Sequence, residues 1–288
     1  LHMSRDKAVV ASRNDMDQAQ ELSEVNPADN VPGIYDKLLP ILTEWKAKYN
    51  FDGSYYIDMG NNPDGGQATE WGISKPYYDQ LLQMGNEIGS HSITHPADTN
   101  LLTPAQLATE FGGSKTIIEQ NLGQVVTGAA IPGAPEFLPV AKAVEQYYTY
   151  VTGGASLIGA GYAGAIGHLD PADTKVYIAP NMSFDFTLID FQGKTIEQAT
   201  AAWNAEFDSL TSHSDMPVIV WPWHDYGPTA WPLDPGVASK YTEALFTGFL
   251  DTASAFGSEF VTLADLARRT ASFGASELDY SYDAAAST

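Results

Sequence analysis

The stretch Glu87-Ile88-Gly89-Ser90-His91-Ser92-Ile93-Thr94-His95-Pro96 decides the fold. Its first four residues read as a short buried strand, preceded by a helix over Lys75–Met84. The next six carry two imidazoles four residues apart among small polar residues, closed by proline. Two histidines this close can turn toward one divalent cation, because neutral imidazole is the commonest protein metal ligand once its other ring nitrogen is oriented. The chain has 6 His in 288 residues. One of them stands in Leu1-His2-Met3, which reads, with the rest of residues 1–7, as a tag remnant and lead-in.

A metal needs further ligands, and the chain offers carboxylates early. Ala8-Val9-Val10-Ala11 reads as a buried strand running into Ser12-Arg13-Asn14-Asp15-Met16-Asp17. On an extended chain Asp15 and Asp17 point to the same side. One can bind metal while the other accepts a proton from a metal-bound water, whose pKa the ion lowers toward neutrality. A polar loop with no chemistry would read the same way, so the pair alone leaves both open.

Strand candidates continue at Gly53–Ile57, Val125–Ala130, Tyr148–Thr152, Lys175–Ile178, Pro217–Trp221 and Phe260–Thr262. Between them lie helical stretches at Ile34–Tyr49, Pro104–Asn121, Pro139–Tyr147, Thr195–Ser212 and Pro235–Phe256. Thr103 before Pro104 is an N-cap followed by proline at the first helical position. Strands alternating with helices predict a parallel α/β layout, and eight strands suit a barrel. Asp15, Asp17, His91, His95 and His224 each follow a strand, which is where such barrels carry their chemistry.

The segment His91-Ser92-Ile93-Thr94-His95-Pro96, with its lead-in helix and strand, resembles the second motif of the NodB-homology polysaccharide deacetylases, carbohydrate esterases of the family 4 type. Val218-Ile219-Val220-Trp221-Pro222-Trp223-His224 resembles the family's late strand bearing a catalytic His, and Phe260-Val261-Thr262-Leu263-Ala264-Asp265-Leu266 its closing strand and helix. The resemblance implies a distorted (β/α)7 barrel over residues 8–272, with 273–288 as an acidic tail or linker. It implies Asp17, His91 and His95 as ligands of one divalent metal, Zn²⁺ first and Co²⁺ or Ni²⁺ as alternatives. Asp15 would be the general base and His224 the general acid in amide hydrolysis of an N-acetylated sugar.

The chain departs from the family pattern in three places. The family's first motif has adjacent aspartates, whereas Asp15-Met16-Asp17 is split, a spacing similar to that of the Pel and galactosaminogalactan deacetylases. The third motif usually carries Arg, but Ala130-Ile131-Pro132-Gly133-Ala134-Pro135-Glu136 has none. Arg13, two residues from Asp15, could stand in for it, since an Arg beside a base tunes its pKa and binds an oxyanion. The Asp that orients the catalytic His has Asp185 and Asp190 as candidates.

Arg13, Pro132, Trp223, Tyr226 and Trp231 are the candidate substrate-binding residues. Trp223 and Trp231 read equally as core and as walls for sugar rings. Asp58 reads as a strand-end residue, structural or facing substrate. His168 and His213 read as surface residues, with His213 the one nearer the mouth of the fold. The Gly-rich run Ile158–Gly164 lacks a following Lys-Ser/Thr and reads as a mobile loop rather than a phosphate cradle.

Composition narrows the partners. With 36 Asp and Glu against 14 Lys and Arg, the formal charge of −22 would repel nucleic acid. No Cys is present, which excludes disulfides and a thiol nucleophile. No stretch approaches the roughly 20 apolar residues of a membrane span. The expectation is a metal-dependent N-deacetylase of an amino-sugar polysaccharide containing GalNAc or GlcNAc, extracellular or periplasmic, monomeric or part of a larger multidomain protein. The alternatives are a hydrolase of peptidoglycan sugars or small cyclic amides, and a carbohydrate-binding module without turnover.

Overall fold

Strand β1 (Ala8–Met16) is the axis of the sheet, and every one of its residues is buried. Its sequence alternates between two destinations, as a period of two requires. Val9 and Ala11 face a narrow interior with Tyr56, Tyr150, Val176, Val220 and Val261. Ala8, Val10 and Met16 face a larger apolar layer shared with the surrounding helices. Arg13 and Asp15 continue the inward row.

The computed structural model describes residues 4–17, 33–59, 69, 71–154, 166–170, 174–233 and 236–277. Its further strands are β2 (Ser54–Ile57), β3 (Glu87–Ser90), β4 (Gly128–Ala130), β5 (Tyr150–Thr152), β6 (Ile166–Gly167), β7 (Val176–Ile178), β8 (Val218–His224) and β9 (Ser258–Val261). They order as β6-β7-β5-β4-β3-β2-β1-β8, and β9 pairs with β1. The upper half of β1 pairs with β2 from Arg13 to Met16, and its lower half with β9 from Ala8 to Ala11. All these pairings are parallel except β6 with β7. The sheet curls into an incomplete barrel, as the NodB-type resemblance implies.

Helices α1 (Ile34–Tyr49), α2 (Trp71–Gln83), α3 (Pro104–Leu107), α4 (Ser114–Leu122), α5 (Leu138–Glu145), α6 (Ile196–Ser212), α7 (Glu243–Phe256) and α8 (Leu263–Gly274) pack around it. Helix α8 closes the floor of the barrel with Leu263, Leu266 and Ala267. Its first-turn amides donate to Ser54 Oγ and Glu87 Oε2 at 2.7 and 3.0 Å, so a buried carboxylate meets the positive end of the helix.

No strand pairs β7 with β8 among the described residues, and the side chain of Asn181 bridges that gap. It accepts from the Val220 amide at 2.8 Å and donates to the Val218 carbonyl at 2.8 Å. The backbone amides of Asn181 and Met182 also donate to the Val220 carbonyl at 3.3 Å each, so one short segment satisfies an edge that a ladder would otherwise cover.

Several expectations are corrected. Strand β1 runs on to Met16, so Asp15 lies on the strand and not after it. Strand β4 begins only at Gly128, and Val125 is exposed. The helix expected over Pro104–Asn121 is interrupted by a π-helical stretch, Ala108–Gly113, where Gly112 lies against the Tyr147 ring. Helix α7 starts at Glu243, not at Pro235, which lies outside the described residues. The Gly-rich run Ile158–Gly164 and residues 278–288 also lie outside them.

Candidate metal centre and catalytic cleft

The strand C-terminal ends bring Asp15, Asp17, His91, His95 and His224 together. Asp15 and His224 are register partners on neighbouring strands, and both belong to the inward row. His91 follows β3, and its Nδ1 lies 3.0 Å from the Ala130 carbonyl of β4. That contact makes Nδ1 the protonated nitrogen and leaves the Nε2 lone pair for a ligand. His91 Nε2 is 3.4 Å from Asp17 Oδ1, and His95 Nε2 is 3.6 Å from the same oxygen. The rings of His91 and His95 meet edge to face, with centroids 4.9 Å apart.

His95 reaches this position through a tight turn. Ser92 and His95 both take positive φ, 78° and 51°, and the His95 amide donates to Ser92 Oγ at 3.0 Å. Glu110 accepts from the amides of Ile93 and Thr94 at 2.9 Å each, clamping the turn from the π-helical stretch. A left-handed conformation at two non-glycine residues is strained. Here it turns the second imidazole back toward the first.

The donor set fits a metal. One ligand atom from each of Asp17, His91 and His95 lies within 4.8 Å of the others. Ligands about 2.0–2.1 Å from an ion at tetrahedral angles sit roughly 3.4 Å apart, close to the His91–Asp17 separation. Two imidazoles and one carboxylate suit Zn²⁺, Co²⁺ or Ni²⁺.

Asp15 lies beside this triad, its Oδ2 3.8 Å from His91 Nε2. It is gripped from below by Arg13, whose Nε and Nη2 donate to its two oxygens at 2.9 and 2.7 Å. Arg13 Nη2 also reaches the Ile131 carbonyl at 3.3 Å, and the guanidinium lies 5.1 Å from the Phe184 ring centroid. Burial would raise the Asp15 carboxyl, but Arg13, with His91 and His224, holds it below the ordinary value. Asp17 is held well below it, against the same burial cost, chiefly by His95 and His224.

His224 ends β8 on the other flank, with Nε2 3.7 Å from Asp17 Oδ2. Its Nδ1 lies 2.6 Å from Asp185 Oδ1, and its backbone amide donates to Asp185 Oδ2 at 3.0 Å. Burial would lower this imidazole, but Asp185 and then Asp17 outweigh it and push its pKa up to about 9. Tyr226 stacks on it at 4.8 Å, and Phe184 and Phe186 pack around it. Asp185 is therefore the residue that orients His224. Asp190 instead binds Lys240 and Tyr241.

These groups line a cleft of about 590 Å³. One wall is the loop Ile131–Pro135, and the other is Phe184, Phe186, Phe191 and Tyr226. Gly133 takes φ 74°, and any Cβ there would meet the Ala97 carbonyl at 2.4 Å, so the first wall packs backbone to backbone.

Residues 26–148 match the polysaccharide deacetylase family model. The polysaccharide deacetylase match covers His91, His95 and the loop after β4; Asp15, Asp17 and His224 lie outside it and join the site through the fold. None of the curated proteins matches the chain in sequence. Among solved structures, a putative polysaccharide deacetylase from Mycobacterium smegmatis superposes with TM-score 0.62 at 14% identity, covering 97% of this chain and 96% of that one. A family 4 acetyl xylan esterase from Clostridium thermocellum, in complex with a cobalt ion, gives 0.50 at 16% identity, covering 92% and 96%. A CE4 family pseudoenzyme from Bacillus anthracis gives 0.50 at 14% identity, covering 89% and 64%. At such identities the likeness is one of fold, and the fold is that of the NodB-type deacetylases.

The remaining candidates divide, and two change role. Pro132 and Tyr226 line the cleft. Arg13 lines it too, but its guanidinium is committed to Asp15. Trp223 is corrected to core: it is fully buried, its Nε1 donates to Ser12 Oγ at 2.7 Å, and it packs on Trp45, Tyr55, Trp221 and Phe246. Strand parity explains this, because His224 faces inward and its neighbour must face the helices. Trp231 is half-buried beside the cleft rather than in its lining, with Lys37 Nζ 5.0 Å from its ring centroid. Asp58 is fully buried at the end of β2. His213 follows α6 at the N-terminal end of β8, so it is remote from the mouth and not near it. Phe184, Phe186 and Phe191 had no motif to announce them.

Proposed function

We propose that this chain is a divalent-metal-dependent N-deacetylase of an amino-sugar polysaccharide found outside the cell or in the periplasm. The observation that carries the reading is the pairing of an Asp-His-His ligand set with an Arg-held carboxylate on one side and an Asp-held imidazole on the other. Asp17, His91 and His95 would hold the ion. When bound, it would act as a Lewis acid toward the acetyl carbonyl and make a water nucleophilic near neutral pH.

The chain's own residues supply the proton transfers. Asp15, kept ionised by Arg13, accepts the proton of the attacking water. His224, kept protonated at neutral pH by Asp185, donates a proton to the departing sugar nitrogen as the C–N bond breaks. The two groups are pushed to opposite sides of pH 7 by different partners, which is the division an acid and a base require. Tyr226, Phe184 and Phe186 hold the imidazole plane and keep water from its sides. The split spacing Asp15-Met16-Asp17 supports GalNAc-containing polymers as the first substrate to try, ahead of GlcNAc polymers.

The test is acetate release from N-acetylated GalNAc and GlcNAc polymers, after chelation and after return of Zn²⁺, Co²⁺ or Ni²⁺. Release restored by metal on one polymer is expected. No release from either, with an ion shown at His91 and His95, would overturn the proposal.

A further inference from the structure

Phe191 is 78% exposed, yet it lines the catalytic cleft. It ends a π-helical turn, Thr187–Phe191, a geometry that recurs frequently at functional sites. Single exposed apolar side chains are ordinary on protein surfaces. This one differs in how it is held. Phe186 meets it edge to face at 5.0 Å and 86°, and Phe186 itself packs on His224 at 5.2 Å. The ring is thus braced from the reacting centre outward. The surface also continues beyond it. Asp190, its neighbour, lines both the cleft and an adjoining hollow bounded by Trp231, Leu233, Val237 and Tyr241. Leu233 and Val237 are exposed there as well.

We infer that Phe191 is a stacking platform for a second sugar ring, the unit of the polymer next to the one being deacetylated. This rests on the deacetylase reading above. The C–H face of a pyranose is apolar and flat enough to lie on an aromatic ring, while its hydroxyls stay in water. A small acetamide seated at the metal would not extend to a residue at the rim. A chain of sugars must leave the cleft, and the path past Phe191 and Asp190 is continuous with it and offers Trp231, Leu233 and Val237 beside the polar Asp190 and Lys240. The consequence is a length requirement: the site is built for oligosaccharides and polymers, and a lone N-acetyl sugar forgoes this contact.

The test compares wild type, Phe191→Ala and Phe191→Tyr on N-acetyl-hexosamine oligomers from one to six units. Wild-type kcat/KM is expected to rise with length, and Phe191→Ala to lose about tenfold on the longer oligomers through KM. The loss should be smallest on the monomer and grow with length, and Phe191→Tyr should keep the wild-type pattern. Equal losses at every length, or none, would overturn the inference. Calorimetric binding of the hexamer to metal-free protein separates it from the deacetylase reading. Binding weakened by Phe191→Ala in a protein that releases no acetate would uphold the platform and sink the hydrolysis. Binding indifferent to Phe191 would sink the platform whatever the activity.

Discussion

Arg13→Met keeps the unbranched stem of the side chain and removes its charge with both hydrogen bonds to Asp15. Arg13 is 1% exposed and Asp15 3%, so water cannot replace the guanidinium. Removing one partner of a buried ion pair costs about 3–5 kcal/mol, against about 0–1 kcal/mol for an exposed pair. In a chain of this size each kcal/mol moves Tm by about 2–4 °C, so a fall of about 6–20 °C is expected. The sign with pH follows from the two states of Asp15. In wild type its carboxyl is depressed, so it contributes stability above its free value of about 4 and loses it as pH falls through the depressed value. Without Arg13, burial loses its main opponent and the carboxyl rises, so the buried charge costs more as pH increases. The gap between wild type and Arg13→Met therefore widens from pH 5 to pH 8. Denaturant and thermal unfolding of the chelated proteins at both pH values measure it. Arg13→Lys is the control that keeps the charge without the fork. On the metal-loaded enzyme kcat should fall about 100-fold, because the base loses its orientation. An Arg13→Met protein within 1 kcal/mol of wild type at pH 8 would refute the reasoning, as would a gap that does not change with pH.

Asp185→Asn should move the alkaline limb of the pH–rate profile down by about one unit or more, because His224 loses the carboxylate that contributes most to raising it. The same pair should stabilise wild type fully below pH ~6.5 and less as pH rises through about 9, so unfolding of Asp185→Asn should be flatter over that window; NMR titration of His224 is the direct check. Trp223→Ala should cost about 3–5 kcal/mol as a core cavity. Trp223→Phe should stay folded with KM unchanged, and a raised KM in that variant would restore Trp223 to the substrate wall. His91→Ala should abolish stoichiometric Zn²⁺ binding in direct metal analysis, leaving the far-ultraviolet circular dichroism unchanged.

The barrel was legible because its strands are short apolar runs separated by capped helices. The candidate metal cluster was legible because His91 and His95 are local in sequence and follow a strand. Arg13 and Trp223 were decided by the same parity: a residue two before Asp15 shares its face, and a residue one before His224 does not share its face. Reading that parity through would have moved Trp223 to the core from sequence alone. Asp185 could not be told from Asp190 that way. Its contact with His224 spans 39 residues, and no periodicity reveals which aspartate of this segment reaches that far. Phe191 was hidden for a related reason, since only the tertiary fold tells an exposed phenylalanine at a cleft from a buried one.

The seam between β7 and β8 gives His224, the proposed acid, a mechanical vulnerability. Asn181, which stitches that seam, stands four residues before Asp185, and Asp185 alone supplies the side-chain partner of His224 Nδ1 among the described residues. The proposed metal ligands follow β1 and β3, so none of them hangs from β7 or β8, the strands that border this seam. Asn181→Ala would therefore uncouple proton delivery from ion binding: a protein that still takes up its metal at full strength and turns over slowly, with the fault lying in how the barrel is fastened.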